Sequence, residues 1–227
     1  MVNNNPVRRL AAATVAVAAL AAPLAACGSE ENPGRPQTTE QSKAASASPT
    51  LCGVQLSTGA RKALLHLVGS NEFESSGSQD SLGNTAKALV SGYGENGADD
   101  YGKEYDLCTV YGSTASIGID LSFHLPEGIP TSVSPKFKKY EMGELALSRP
   151  PKASLYMKCS SDAFGSDSGT VLIQGDLTNT QAPSRDDATV RKENLNVLYS
   201  VSLAMAKELG CEGDADLPGQ FSLPQEA

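Results

Sequence analysis

Asp120, Ser122 and His124 are the residues whose types and spacing come closest to a catalytic set. Residues two apart in an extended chain share a face and lie roughly 6.6 Å apart, so an acid, a hydroxyl and an imidazole would line up for acyl transfer. The order is wrong for that chemistry. A serine hydrolase needs its histidine between acid and nucleophile, whereas here the serine is the middle member, and no Gly-x-Ser-x-Gly turn accompanies it. These positions are expected to form the wet side of an amphipathic strand. Gly92, Gly94 and Gly97 fit G-x-G-x-x-G, but that motif needs a strand before it and a helix after it, and a short helical pattern precedes it here. It reads as a loop. Asn96, Asp99, Asp100 and Glu104 could offer oxygens to Ca²⁺ without the EF-hand order, and read as solvated acids. Lys136, Lys138 and Lys139 flank Phe137 and Tyr140 as a basic knot, expected to be a solvated loop rather than a contact for an anionic lipid or polymer. His66 follows Lys62 by four residues, on a helix face away from Leu64 and Leu67, and is expected to be exposed and inert. No catalytic residue, metal ligand or cofactor is assigned.

Composition bounds the rest. The 227 residues are 40% hydrophobic and 19% charged, enough for one ordinary domain. Aromatics make up 5%, Trp is missing, and the formal charge is −8. An acidic field repels phosphate backbones and a chain so poor in aromatics stacks few bases, so nucleic acid is excluded as the main partner.

The N-terminus carries an address. Arg8 and Arg9 precede an uncharged, weakly apolar run over 10–22. As a helix that run spans roughly 20 Å, short of the ~30 Å hydrocarbon core, so residues 1–26 read as a removable signal peptide rather than a membrane span. It ends in Leu24-Ala25-Ala26-Cys27, which resembles the bacterial lipobox. The resemblance implies a fatty-acylated Cys27 as the first residue of the mature chain. At about 0.8 kcal/mol per buried methylene, two or three acyl chains anchor a protein lastingly without spanning the bilayer. Residues 27–50 hold Pro33, Pro36 and Pro49 among Ser and Thr with no large apolar side chain, and read as a flexible tether reaching roughly 25–30 Å. Residues 51–227 are then a single globular domain on the extracytoplasmic face of the cell membrane. Its acidity should hold it off an anionic surface.

Within that domain a helix is expected over 58–68, capped by Ser57 and ended by Gly69, and a short one over 82–90. Strands are expected over 105–111, 116–125, 141–148, 153–159 and 171–177, with Gly175 as a bulge or point of close approach. The second of these alternates Ile117, Ile119, Leu121, Phe123 and Leu125 with polar residues, and should form a hairpin with the first. Residues 126–140 read as a surface crossover. A long helix follows, opening on a capping box at 184–187, with Leu195, Leu198, Ser202, Met205 and Leu209 as its stripe and Gly210 at its end. The expected class is α+β: one antiparallel sheet of about five strands covered by N-terminal and C-terminal helices.

Four cysteines remain, and an even number in an exported chain implies two disulfides in one of three connectivities. Cys159 falls on the core face of its strand, and Gly210 would turn Cys211 back onto the helix end, which favours Cys159–Cys211 and leaves Cys52–Cys108. Zinc is the rival, but no CxxC-like spacing or nearby His supports it.

The lipobox, the Ser/Pro/Thr tether, Cys52-Gly53 before a helix, the strand-borne Cys108 and the closing run from Ser202 to Cys211 together resemble small secreted lipoproteins of actinobacteria. The resemblance implies an uncharacterised cell-surface domain, in some members a PsbP-like α/β sandwich, and brings no catalytic residue. The expected function is a membrane-anchored, non-enzymatic binding or interaction domain for a protein, cell-wall polymer or small molecule. A surface hydrolase using Asp120, Ser122 and His124, or a purely structural envelope component, are the alternatives.

Overall fold

A computed structural model describes residues 50–96, 101–125, 127–165, 170–181, 186–223 and 225–226. The signal peptide, Cys27 and the tether lie outside these residues, as do Gly97, Asp99, Asp100 and Ser184. No helix among the described residues is long and apolar enough to cross a membrane.

Helix α1 (Thr58–Leu67) starts where Ser57 Oγ accepts the Ala60 amide at 3.1 Å. Its buried residues, Ala60, Ala63, Leu64 and Leu67, recur at helical spacing and face the core. Helix α2 (Ser81–Asn96) is longer than its sequence suggests, because Tyr93 extends the stripe of Ala86 and Leu89 by one turn. Tyr93 meets the edges of Phe123 and Phe164 with centroids 5.9 and 5.3 Å apart. That contact offsets the ~1 kcal/mol that each of Gly92 and Gly94 costs inside a helix. The G-x-G start is therefore helical rather than a loop.

The strands are β1 (Glu74–Ser75), β2 (Tyr105–Tyr111), β3 (Ser116–His124), β4 (Lys138–Tyr140), β5 (Leu145–Arg149), β6 (Lys152–Ser160) and β7 (Thr170–Asn179). They form one sheet in the order β1-β2-β3-β7-β6-β5-β4, with every neighbouring pair antiparallel. The α+β class and the β2–β3 hairpin hold. The strand count is seven rather than five, because β1 and β4 are edge strands of two and three residues, too short to show a period of two. Residues 138–140, expected in the crossover, are strand β4.

Helix α3 (Asp187–Glu208) is capped by Asp186, whose carboxylate accepts the Thr189 amide at 2.9 Å. The cap therefore sits at Asp186 and not at the start of the expected box. Leu195, Leu198, Ser202, Met205 and Leu209 are all buried, so the predicted stripe is the one that packs. Gly210 adopts φ 66°, and the Cys211 amide bonds to Ala206 O at 2.8 Å, closing the left-handed helix end the sequence requires. Cys52 pairs with Cys108 and Cys159 with Cys211, at Cα separations of 6.1 and 4.8 Å. Loops of this size give each bridge about 4 kcal/mol in the chain-entropy picture.

The helices cover one face of the sheet, here the inner face. Ile117, Ile119, Leu121 and Phe123 of β3, Leu155 and Met157 of β6, and Ile173 of β7 are fully buried there with Leu64, Leu67, Leu89 and Leu198. Each such side chain contributes about 1.5–3 kcal/mol of transfer free energy.

Candidate functional site

The outer face is built on the alternate residues of the same strands, and its positions follow from the register. One row runs Asp106, Asp120, Asp176 and Ser154 across β2, β3, β7 and β6. The row beside it runs Thr109, Gly118, Thr178 and Lys152. Toward the other end lie Ser122, Gln174 and Tyr156, then His124, Leu172 and Lys158.

Asp106 reaches this face through a β-bulge. From Cys108 to Tyr111 the hairpin pairs in one register, and the register shifts between Asp106 and Cys108. Strict alternation would place Asp106 on the inner face with Cys108 and Val110, as an unpaired charge in the core. The bulge at Leu107 buries that leucine and turns Asp106 out, opposite Asp120. Thr85 of α2, itself buried, pins the bulge by donating to Asp106 O at 3.2 Å.

Like charges directly opposite one another in a sheet repel. Two devices relieve the row of three aspartates. Asp176 is held by donors: Ser154 Oγ–H on one oxygen, and on the other Lys152 Nζ at 3.2 Å and Gln174 Nε2 at 2.8 Å. Asp120 is relieved by a proton. Burial first, then its hydrogen bond to Asp106 and the charges of Asp106, Glu104 and Asp176, push its carboxyl up to about 7. Two carboxyl groups can share a hydrogen bond only if one is protonated, and the register sets Asp106 directly opposite Asp120.

A segment over 127–137 crosses part of this face. Ile129, Val133 and Phe137 pack on Leu147, Tyr156 and Leu172 as a second small apolar cluster, with Arg149 stacked 5.0 Å from the Phe137 ring centroid. Tyr156, buried and facing the charge of Asp176, has its phenol pushed up to about 12. The strap covers the His124 end and leaves the Asp120 end open. There a cavity of about 410 Å³ is lined by Ser76, Ser78, Asp106, Thr109 and Asp120, among others.

The face is therefore less wet than its sequence suggests. Ser122 is 5% exposed and Asp120 and His124 are half-buried. Ser122 Oγ lies 3.1 Å from His124 Nε2. Burial pushes the His124 imidazole down, opposed by the Asp176 charge and by a hydrogen bond that the ring donates to Gln174. The three expected neighbours thus separate into a Ser–His pair and an Asp–Asp pair. Asp120 bonds across to β2 and does not serve His124.

His66, expected to be inert, is paired: its Nδ1 lies 2.7 Å from Glu193 Oε1 on α3. The basic knot is dispersed as well, since Lys138 pairs with Glu226, Phe137 packs on the sheet as part of the strap, and the buried Tyr140 accepts from Arg191 Nε at 3.3 Å. Of the acids proposed as oxygen ligands only Glu104 is described with its side chain, and no group of His, Cys, Asp or Glu among the described residues is placed to hold a metal. No protein family, curated protein or solved structure matches the chain.

Proposed function

We propose that the protein is a lipid-anchored extracytoplasmic binding domain that engages its ligand on the outer face of the sheet, at the uncovered Asp120 end. The observation that carries this reading is the contrast within that face. The strap over 127–137 packs over one end, and the other keeps a polar cavity of about 410 Å³ beside a strip of short side chains. A concave site where a few polar groups converge can fix and orient a ligand. The signal peptide and a lipidated Cys27 would place this face outside the membrane.

A photo-crosslinking residue at Thr178, exposed on the outer face, tests the reading in the full chain in its native membrane. The same residue at Lys192, exposed on α3, is the control. Adducts at Thr178 and none at Lys192 are expected. Equal labelling, or none, removes the outer face as the binding face. In the same preparation, Cys27→Ser should move the protein from the detergent phase to the aqueous phase.

The Ser122–His124 hydrogen bond is the one observation that favours a surface hydrolase. A nucleophile needs its base within such reach. Against it stand the burial of Ser122 and the engagement of Asp120 by Asp106. A hydrolase activity abolished by His124→Ala would establish that second reading.

A further inference from the structure

Gly118 is the third residue of β3 and lies on the outer face, and beyond its chain neighbours no heavy atom of the described residues stands within 4 Å of where a Cβ would be. A glycine inside a strand weakens it, and it marks a bulge or a place where a ligand or another backbone comes close. No bulge is present here. Thr109 and Thr178 pair with Gly118 in unbroken register on either side. Nothing among the described residues fills the space of the missing side chain, which leaves room for a ligand to approach the strand.

The surroundings define what could come close. Thr109 and Thr178 flank the glycine across the sheet, at the ~4.8 Å spacing of neighbouring strands. Ser116 and Asp120 flank it along β3, and Tyr111 stands diagonally beside it, 51% exposed. Thr109 and Asp120, the neighbours of Gly118 across the sheet and along β3, also line the cavity of about 410 Å³. Hydroxyls both donate and accept, whereas an ionised carboxylate only accepts. The tyrosine ring offers a flat face of partial negative charge, which attracts polarised C–H groups. A sugar ring presents O–H groups at its edge and C–H groups on its face, and so matches each part. Charge selects among sugars. Asp106, Asp120 and Asp176 border the shelf, and Lys152, which stands in the same row as Gly118, is already bonded to Asp176. An anionic polymer would be repelled.

We infer that Tyr111, Gly118, Thr109 and Thr178 form a shelf that binds a neutral glycan chain. The inference rests on the outer face being the binding face, and adds the ligand class.

Affinity electrophoresis of the full chain in non-ionic detergent, through gels holding glycol chitin, dextran or hyaluronate, tests it. Retardation by glycol chitin or dextran is expected, with hyaluronate having no effect. Tyr111→Ala should weaken binding at least about tenfold. Gly118→Thr should abolish binding while the thermal midpoint stays level or rises, because threonine suits a strand and meets open space. No retardation by either neutral polymer overturns the glycan assignment. If a protein is then crosslinked at Thr178, the binding face stands and its partner is a protein. Retardation that survives both substitutions overturns the shelf, and equal retardation by hyaluronate overturns the preference for neutral chains.

Discussion

Gly175 and Gly118 each interrupt a strand, one on either face of the same sheet, and the difference between them separates structure from function. A Cβ on Gly175 would stand 3.1 Å from Ser202 Oγ and 3.2 Å from Leu198 Cδ1, so its absence lets α3 settle against β7. A Cβ on Gly118 would meet nothing described. The inner glycine is explained by the fold that surrounds it. The outer one weakens its strand without any return inside the described molecule. The same contrast holds for the faces at large: alternate residues of β3 are fully buried aliphatics and Phe123 on one side, and Asp120, Ser122 and His124 on the other.

The contrast can be broken hardest at the inner face. Replacing Cys159 and Cys211 together with alanine should remove about 4 kcal/mol of unfolding free energy, read from the denaturant midpoint, because this bridge ties α3 to β6. Loss of less than about 1 kcal/mol would mean that packing alone holds the helix. Gly175→Val comes next. Two more methyl carbons against Ser202 and Leu198 should cost about 2–3 kcal/mol, again by denaturant titration. A neutral effect would erase the distinction drawn from Gly118.

A smaller effect sharpens the outer side. The Asp120 carboxyl titrates at about 7 in the fold against an unfolded value of 3.8, so the fold binds its proton more tightly than the open chain does. The stability this group contributes is fully present below 3.8 and is lost as pH rises through about 7. The denaturant midpoint should therefore fall over that range in the wild type and less steeply in Asp120→Asn. Because the group is only half-buried, solvent screening keeps the slope modest. Parallel profiles for the two proteins would mean that Asp106 and Asp120 do not share a proton.

Much of the inner face could be read before any coordinates. The alternation at β3, which stops at His124 and leaves the expected core residue Leu125 beyond the strand and exposed, the stripe of α3, Gly210 at its end and the core-facing Cys159 all depend on residues within a turn or two of one another. Their period alone decides which side is apolar. From those local facts the disulfide pairing also followed. The outer site was legible only in part. Asp120, Ser122 and His124 were placed on one face correctly, but their partners come from β2 and β7, whose register no local pattern specifies. One signal was present. Strict alternation puts Asp106 in the core, and only a bulge resolves that conflict. The short edge strands left no trace, since two or three residues span little more than one period.

What the amino-acid order determined by itself is therefore the apolar side of each long element, both ends of α1 and the C-terminal end of α3, because these rest on interactions between near neighbours along the chain. What tertiary structure alone decided is that Asp106, Asp120 and Asp176 stand in line, that α2 runs on through two glycines to Phe123 and Phe164, and that Gly118 lies uncovered while Gly175 does not. Those outcomes depend on which strands become neighbours and what packs over them, and such contacts close loops of dozens of residues whose entropy only the assembled core can offset.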